Sequence, residues 1–189
     1  KANLSVTAND ASKTYGDDKT ADYGTGKTAF TSSGLKNDDA IDSVTLAAGC
    51  AASTSPVGSC TIVVSNAAGT KFNSNDYTIT YNNGTLTVDP APLTITADDG
   101  SKTYGDGYFT PSTATFKSGR TEFTPSGLKN SQTIGSVTLT ATCAPASAHR
   151  GSGSCSIVPS AATGGTFTAS TYSISYSNGT LTVNKASLT

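Results

Sequence analysis

Apolar and polar residues alternate with period two in several short runs of this chain. Leu4, Val6 and Ala8 alternate with Ser5 and Thr7, and Leu93, Ile95 and Ala97 alternate with Thr94 and Thr96. That spacing puts the apolar side chains on one face of an extended backbone, as in a half-buried β-strand. Tyr77, Ile79 and Tyr81 alternate with threonines, Asn83-Gly84 follows, and Leu86 and Val88 resume the alternation. Tyr172 to Val183 does the same around Asn178-Gly179. Asn-Gly between two such runs predicts a tight hairpin turn, because both residues tolerate positive φ. A further strand is predicted through Thr61–Ser65 and through Ser156–Ser160. The second lies at an edge or ends at Pro159, which has no donor for a ladder. Asn37–Val44 and Asn130–Val137 are each expected to hold one short helix capped by asparagine. No amphipathic helix of any length is legible, and no apolar run approaches the ~18 residues of a membrane span.

The pattern is duplicated. Ser12-Lys13-Thr14-Tyr15-Gly16-Asp17 recurs as Ser101-Lys102-Thr103-Tyr104-Gly105-Asp106, and Ser33-Gly34-Leu35-Lys36-Asn37 recurs as Ser126-Gly127-Leu128-Lys129-Asn130. Cys50 matches Cys143 and Cys60 matches Cys155. Self-similarity at this period is the mark of a repeat architecture, in which copies pack mainly on their neighbours. The expected organisation is module 1 over residues 1–89 and module 2 over 90–184. Lys185-Ala186-Ser187-Leu188-Thr189 resembles the opening Lys1-Ala2-Asn3-Leu4-Ser5 and is read as the start of a third repeat over 185–189. Pro90 and Pro92 restrict φ and favour an extended spacer, so the two modules are expected to lie end to end.

Composition narrows the class. Leu, Ile, Val and Phe make up 31 of 189 residues, so each core is small. A net charge of −1 excludes a general nucleic-acid or anionic-membrane binder, which needs a basic face. Small cores leave little apolar surface to offset chain entropy, so a covalent staple is expected. Four cysteines in a Thr/Ser/Gly-rich chain fit an oxidising, extracellular compartment. Of the three possible pairings, duplication selects Cys50–Cys60 and Cys143–Cys155, because equivalent modules close equivalent loops. Closing loops of ~10 residues stabilises by about 2–3 kcal/mol each through lost chain entropy of the unfolded state. Zinc is disfavoured, since two cysteines per module lack matching histidines.

Candidate chemistry is sparse. Tyr15-Gly16-Asp17 and Tyr104-Gly105-Asp106 are read first as structure: a core tyrosine, a glycine of unusual φ and a turn-bonding aspartate. A tyrosine–carboxylate ligand platform is the alternative. His149, the only histidine, has no counterpart in module 1 and no nameable catalytic partner. Asp38, Asp39 and Asp42 suggest calcium, but Ser131, Gln132 and Gly135 replace them in module 2. Asp89, Asp98 and Asp99 are a second weak ion candidate. Glu122 is the only glutamate. Tyr23 and Tyr108 are candidates for stacking on a sugar. Thr78, Thr80, Thr85 and Thr87 alternate as an ice- or mineral-binding face would, and as any solvated strand does. Asn3, Asn83 and Asn178 stand in Asn-x-Ser/Thr sequons. No cofactor or metal is expected, and no reactive constellation recurs in both copies, so the chain is not read as an enzyme.

The Ser-Lys-Thr-Tyr-Gly-Asp, Ser-Gly-Leu-Lys-Asn and Tyr77–Val88 motifs together resemble the MBG domain of the YGX type, over nearly the whole chain. The resemblance implies a mostly β fold, α+β and β-grasp-like with at most a short helix, and a place in bacterial cell-surface or secreted adhesin-like proteins. It departs from the family pattern between Cys50 and Phe72, where this chain carries a cysteine-clipped segment. The expected function is a non-catalytic structural stalk or spacer repeat of an adhesin or filament. The alternative is an adhesin module that binds a glycan or a host protein. Expected partners are neighbouring repeats of the same chain and such a glycan or host protein, with no nucleic acid and no membrane insertion.

Overall fold

The computed structural model describes residues 1–109, 116–148 and 153–187. The chain divides into two compact units, Lys1–Pro90 and Ala91–Thr189. Unit 1 holds β1 (Ala2–Ala8), β2 (Ala11–Thr14), β3 (Gly24–Lys27), β4 (Phe30–Ser33), β5 (Ser43–Ala48), β6 (Gly58–Ala68), β7 (Tyr77–Asn82) and β8 (Gly84–Asp89). Unit 2 holds β9 (Ala91–Ala97), β10 (Gly100–Thr103), β11 (Phe116–Arg120), β12 (Phe123–Ser126), β13 (Ile134–Thr140), β14 (Ser154–Gly165), β15 (Tyr172–Ser177) and β16 (Gly179–Asn184). In unit 1 one sheet runs β4-β1-β7 and the other β2-β8-β6-β5-β3; unit 2 repeats both orders strand for strand. The fold is mostly β, in two tandem copies.

The alternation explains the layers. Leu4, Val6 and Ala8 of β1 are buried with Val44 and Leu46 of β5, Ile62 and Val64 of β6, and Leu86 of β8. Leu93, Ile95, Val137, Leu139, Ile157, Leu181 and Val183 are the buried set of unit 2. Burying each such side chain contributes roughly 1.5–3 kcal/mol. Thr78, Thr80, Thr85 and Thr87 occupy the intervening positions: Thr78, Thr85 and Thr87 are exposed on their strands' outer faces, as is Thr80.

Four expectations change. The Asn83-Gly84 and Asn178-Gly179 hairpins do not form. β7 pairs in parallel with β1 in one sheet, while β8 pairs with β6 and β2 in the other. Asn83 is a corner between sheets, and neither Asn83 nor Gly84 has positive φ. Tyr77 and Leu86 must both face the space between the sheets, which a flat two-stranded hairpin does not allow. Glycine is required there for close approach: a Cβ at Gly84 would lie 2.8 Å from the Ala8 carbonyl oxygen, and one at Gly179 2.5 Å from that of Ala97.

The helices expected over 37–44 and 130–137 are also absent. Asn37 and Asp38 have φ of 54° and 59°, and Asn130 and Ser131 have 52° and 55°. Two successive left-handed residues cannot sit in a right-handed helix. The chain turns there and enters β5 or β13. Among the described residues the helical pieces are 3₁₀ turns at Thr20–Asp22, Ser74–Asp76 and Ala169–Thr171.

Pro159, finally, lies inside β14, which continues to Gly165. Its equivalent in unit 1, Val64, donates its N–H to the Asn83 side chain rather than to a neighbouring strand. The β14–β16 ladder has already ended at Ile157, so a proline there removes no strand-to-strand bond. The spacer is shorter than read, because β9 begins at Ala91 and includes Pro92.

Candidate functional site

The duplicated Ser-Lys-Thr-Tyr-Gly-Asp motif builds one arrangement in each unit. β2 lies beside β8 in parallel, Lys13 opposite Val88, and Lys13 is buried at 4% exposure. Its ammonium donates to the backbone oxygens of Asp17 at 2.9 Å, Ala51 at 3.3 Å and Ala52. Lys102 does the same with Asp106 at 3.1 Å, Ala144 at 3.3 Å and Pro145. Three donors meet three carbonyls, which satisfies the group. Burial pushes both ammonium groups below the ordinary lysine range, opposed at Lys13 by Asp18 and Asp17 and at Lys102 by Asp106.

Around this knot the motif closes a tight turn. Asp17 donates its N–H to Thr14 O at 3.0 Å, Gly16 has φ of 92°, and Gly16 N–H reaches Ser53 O at 3.1 Å. In unit 2 Asp106 N–H reaches Thr103 O at 3.0 Å and Gly105 has φ of 98°. Tyr15 is buried whereas Tyr104 is 40% exposed, so the two tyrosines do not present one shared surface. Cys50 and Cys60 are bonded at 2.08 Å, and Cys143 and Cys155 at 2.11 Å. Each disulfide therefore anchors one end of the loop whose carbonyls the lysine holds.

Asp39, Asp42, Asp98, Asp99 and Glu122 have separate partners. Asp39 accepts a 2.7 Å bond from the Tyr77 hydroxyl, and that hydroxyl accepts the Lys36 N–H. Gln132 does this for Tyr172, which accepts the Lys129 N–H. The Asp39 bond favours the neutral phenol and raises Tyr77 above the usual tyrosine range. Asp42 accepts from Thr70 N–H, Asp98 from the Thr124 hydroxyl, Asp99 from Thr180 N–H, and Glu122 pairs with Arg120. Among the described residues no three His, Cys, Asp or Glu side chains gather to hold a metal ion. His149 lies outside the described residues.

Unit 1 also carries a cleft of about 330 Å³ between the β1–β2 connection, the Thr20–Asp22 turn and the β3–β4 connection. Leu46 and Ile62 line it from the core, together with Ala11 of β2, Ala29 of the β3–β4 connection, Tyr23 and Lys27. Tyr23 is thus in a concave site, although Tyr108 of unit 2 is not its counterpart. Matched bonds show which residue is: Lys19 N–H donates to Ala51 O, and Tyr108 N–H donates to Ala144 O, each at 2.9 Å.

The profile of the MBG domain (YGX type) matches residues 4–87 and again 93–182. The chain belongs to that family. The matches cover both units, and MBG domains are a repeat family typical of surface proteins and non-enzymatic in type. No curated protein and no solved structure matches the chain. No helix among the described residues is long and apolar enough to cross a membrane.

Within these MBG modules the Tyr-Gly-Asp triplet is only the visible part of the motif. The residue that the sequence reading passed over is the lysine two positions earlier. The signal was present, because Lys13 and Lys102 are basic residues retained within a strand motif while the neighbouring aspartate cluster changes to Ser, Gln and Gly.

Proposed function

We propose that these MBG modules are load-bearing spacer repeats of an extracellular bacterial surface protein, an adhesin or a filament, and that they do no catalysis. The observation carrying this reading is the direction of the terminal strands. β1 runs parallel to β7, Ala2 opposite Tyr77 through Thr7 opposite Asn82, and β2 runs parallel to β8, Ala11 opposite Leu86 through Thr14 opposite Asp89. Unit 2 repeats both pairings. Tension entering at the start of β1 and leaving at the end of β8 pulls these partners lengthwise in opposite directions. Every bond of both ladders is then loaded at once, rather than one at a time as when strands peel apart. The disulfides fit an oxidising compartment. The parallel meeting of first and late strands is also what likens the module to a β-grasp, here with no crossing helix among the described residues.

Single-molecule pulling on the chain from its two ends tests this. The expected record shows two discrete unfolding events at forces well above those of a protein of similar size whose terminal strands peel. Gradual extension without such events would overturn the load-bearing role.

A further inference from the structure

We propose that the cleft of unit 1 is a docking site for an aromatic side chain of a partner polypeptide. This is independent of the load-bearing role. The ligand class is read from unit 2, which fills the same place with its own chain.

The equivalence rests on matched bonds. Ala11 pairs with Leu86 and Gly100 with Leu181 at the same register. Asn9 N–H donates to Ala29 O, and Asp98 N–H to Glu122 O. Lys27 stands opposite Val44, and Arg120 opposite Val137. The unit 1 residues Ala11, Ala29 and Lys27 that line the cleft therefore correspond to Gly100, Glu122 and Arg120. Tyr108 stands among these three in unit 2. Its hydroxyl is 2.2 Å from where a Cβ on Gly100 would be, so this tyrosine requires a glycine there. Its ring lies 5.2 Å from that of Phe109, whose ring in turn sits 5.4 Å below the Arg120 guanidinium.

In unit 1, besides Ala29 for Glu122 and Lys27 for Arg120, two further residues differ. Gly100 becomes Ala11, and Tyr108 becomes Lys19, whose ammonium pairs with Asp22 at 3.5 Å with about half of the side chain exposed. No tyrosine stands at that position in unit 1, and Leu46 and Ile62 are among the residues that line the cleft there. A volume of about 330 Å³ is at the small end of ligand sites, ~300–1,000 Å³, and suits a single ring. Tyr23, one of the lining residues, offers an aromatic edge or face to that ring. The Ala11 methyl requires an incoming ring to sit higher than Tyr108 does, which a free side chain can do and a backbone-tethered one cannot.

The test is an amide chemical-shift titration of the isotope-labelled full chain with N-acetyl-L-tyrosine amide and N-acetyl-L-phenylalanine amide, with a methyl glucoside as the competing class. The expected result is saturable shifts of Ala11, Tyr23 and Ala29 with a millimolar midpoint, while the amides of unit 2 stay still. Lys19→Tyr combined with Ala11→Gly rebuilds the internal plug and weakens binding at least tenfold. Tyr23→Ala, which removes one lining ring and leaves Leu46, Ile62, Ala11 and Ala29 as the rest of the wall, weakens it about fivefold. No shift at those three amides up to the solubility limit, equal titration of the plugged variant, or a response to the glucoside alone would each overturn the assignment.

Discussion

At the scale of single residues, Lys13 and Lys102 carry more of the structure than the tyrosines that follow them. Removing the Lys13 ammonium takes a donor from three carbonyls, of which Ala51 O keeps the Lys19 N–H, and each buried group that loses its bond costs roughly 1–3 kcal/mol. Lys13→Met is therefore expected to destabilise unit 1 by about 2–4 kcal/mol, with the unit 2 transition unmoved; urea denaturation followed by unit-specific amide signals measures it. Tyr77 gives a prediction in pH. Its folded pKa is raised, so its contribution is complete below the unfolded value and is lost as pH rises through the folded one. Stability of unit 1 should fall from about pH 10 upward on this account. Lys13, lowered in the folded state, contributes with the opposite sign as pH approaches its unfolded value. Asp39→Asn leaves Lys13 in place and removes the main cause of the Tyr77 shift. The difference between the two stability curves should flatten the alkaline fall, and an unchanged slope would refute the assignment.

At the scale of elements, strands were legible where alternation was clean. β1, β8, β9 and β16 show buried residues at every second position, because each has one face on the core. What alternation cannot convey is which sheet a strand joins. Asn83-Gly84 has the local chemistry of a hairpin, yet Leu86 and Val88 pack better across the core from β7's sheet than beside it. Tertiary packing therefore overrides the turn signal. The false helices have a related cause: a cap-like asparagine marks a left-handed turn as readily as a helix start. The repeated lysine was visible but its cage was not, because two of its three acceptors are backbone carbonyls 38 and 39 residues away, which no side-chain pattern reports. The corner makes two contrasting predictions. Gly84→Ala should cost about 1–3 kcal/mol through overpacking on the Ala8 and Asn9 carbonyls. Asn83→Ala should cost only about 1 kcal/mol, the worth of the bond from Val64 N–H. A hairpin of positive φ would be hurt at both positions, and thermal unfolding of the two variants separates the cases.

For the whole molecule, the disulfides set how much chain each unit can release. Cys50–Cys60 closes 10 residue steps and spans 6.0 Å between Cα atoms. At about 3.5 Å per extended residue, reduction should lengthen the unit 1 unfolding step by about 30 Å. The Cys143–Cys155 separation of 12 gives about 36 Å for unit 2 at the same rise. Equal steps before and after a reducing agent would mean that the bonds are not closed in the pulled protein. The two unequal increments also identify which unit opened first, something that nearly identical copies otherwise conceal.

The carbonyl cage has one more effect, on proteolysis. An enzyme that cuts after basic residues must draw the side-chain amine into its own specificity pocket. In a folded module the amines of Lys13 and Lys102 are already claimed, and the backbone beside them is held in a sheet. These two peptide bonds become substrates only after the module has opened, so fragments ending at Lys13 or Lys102 would record which copy had given way.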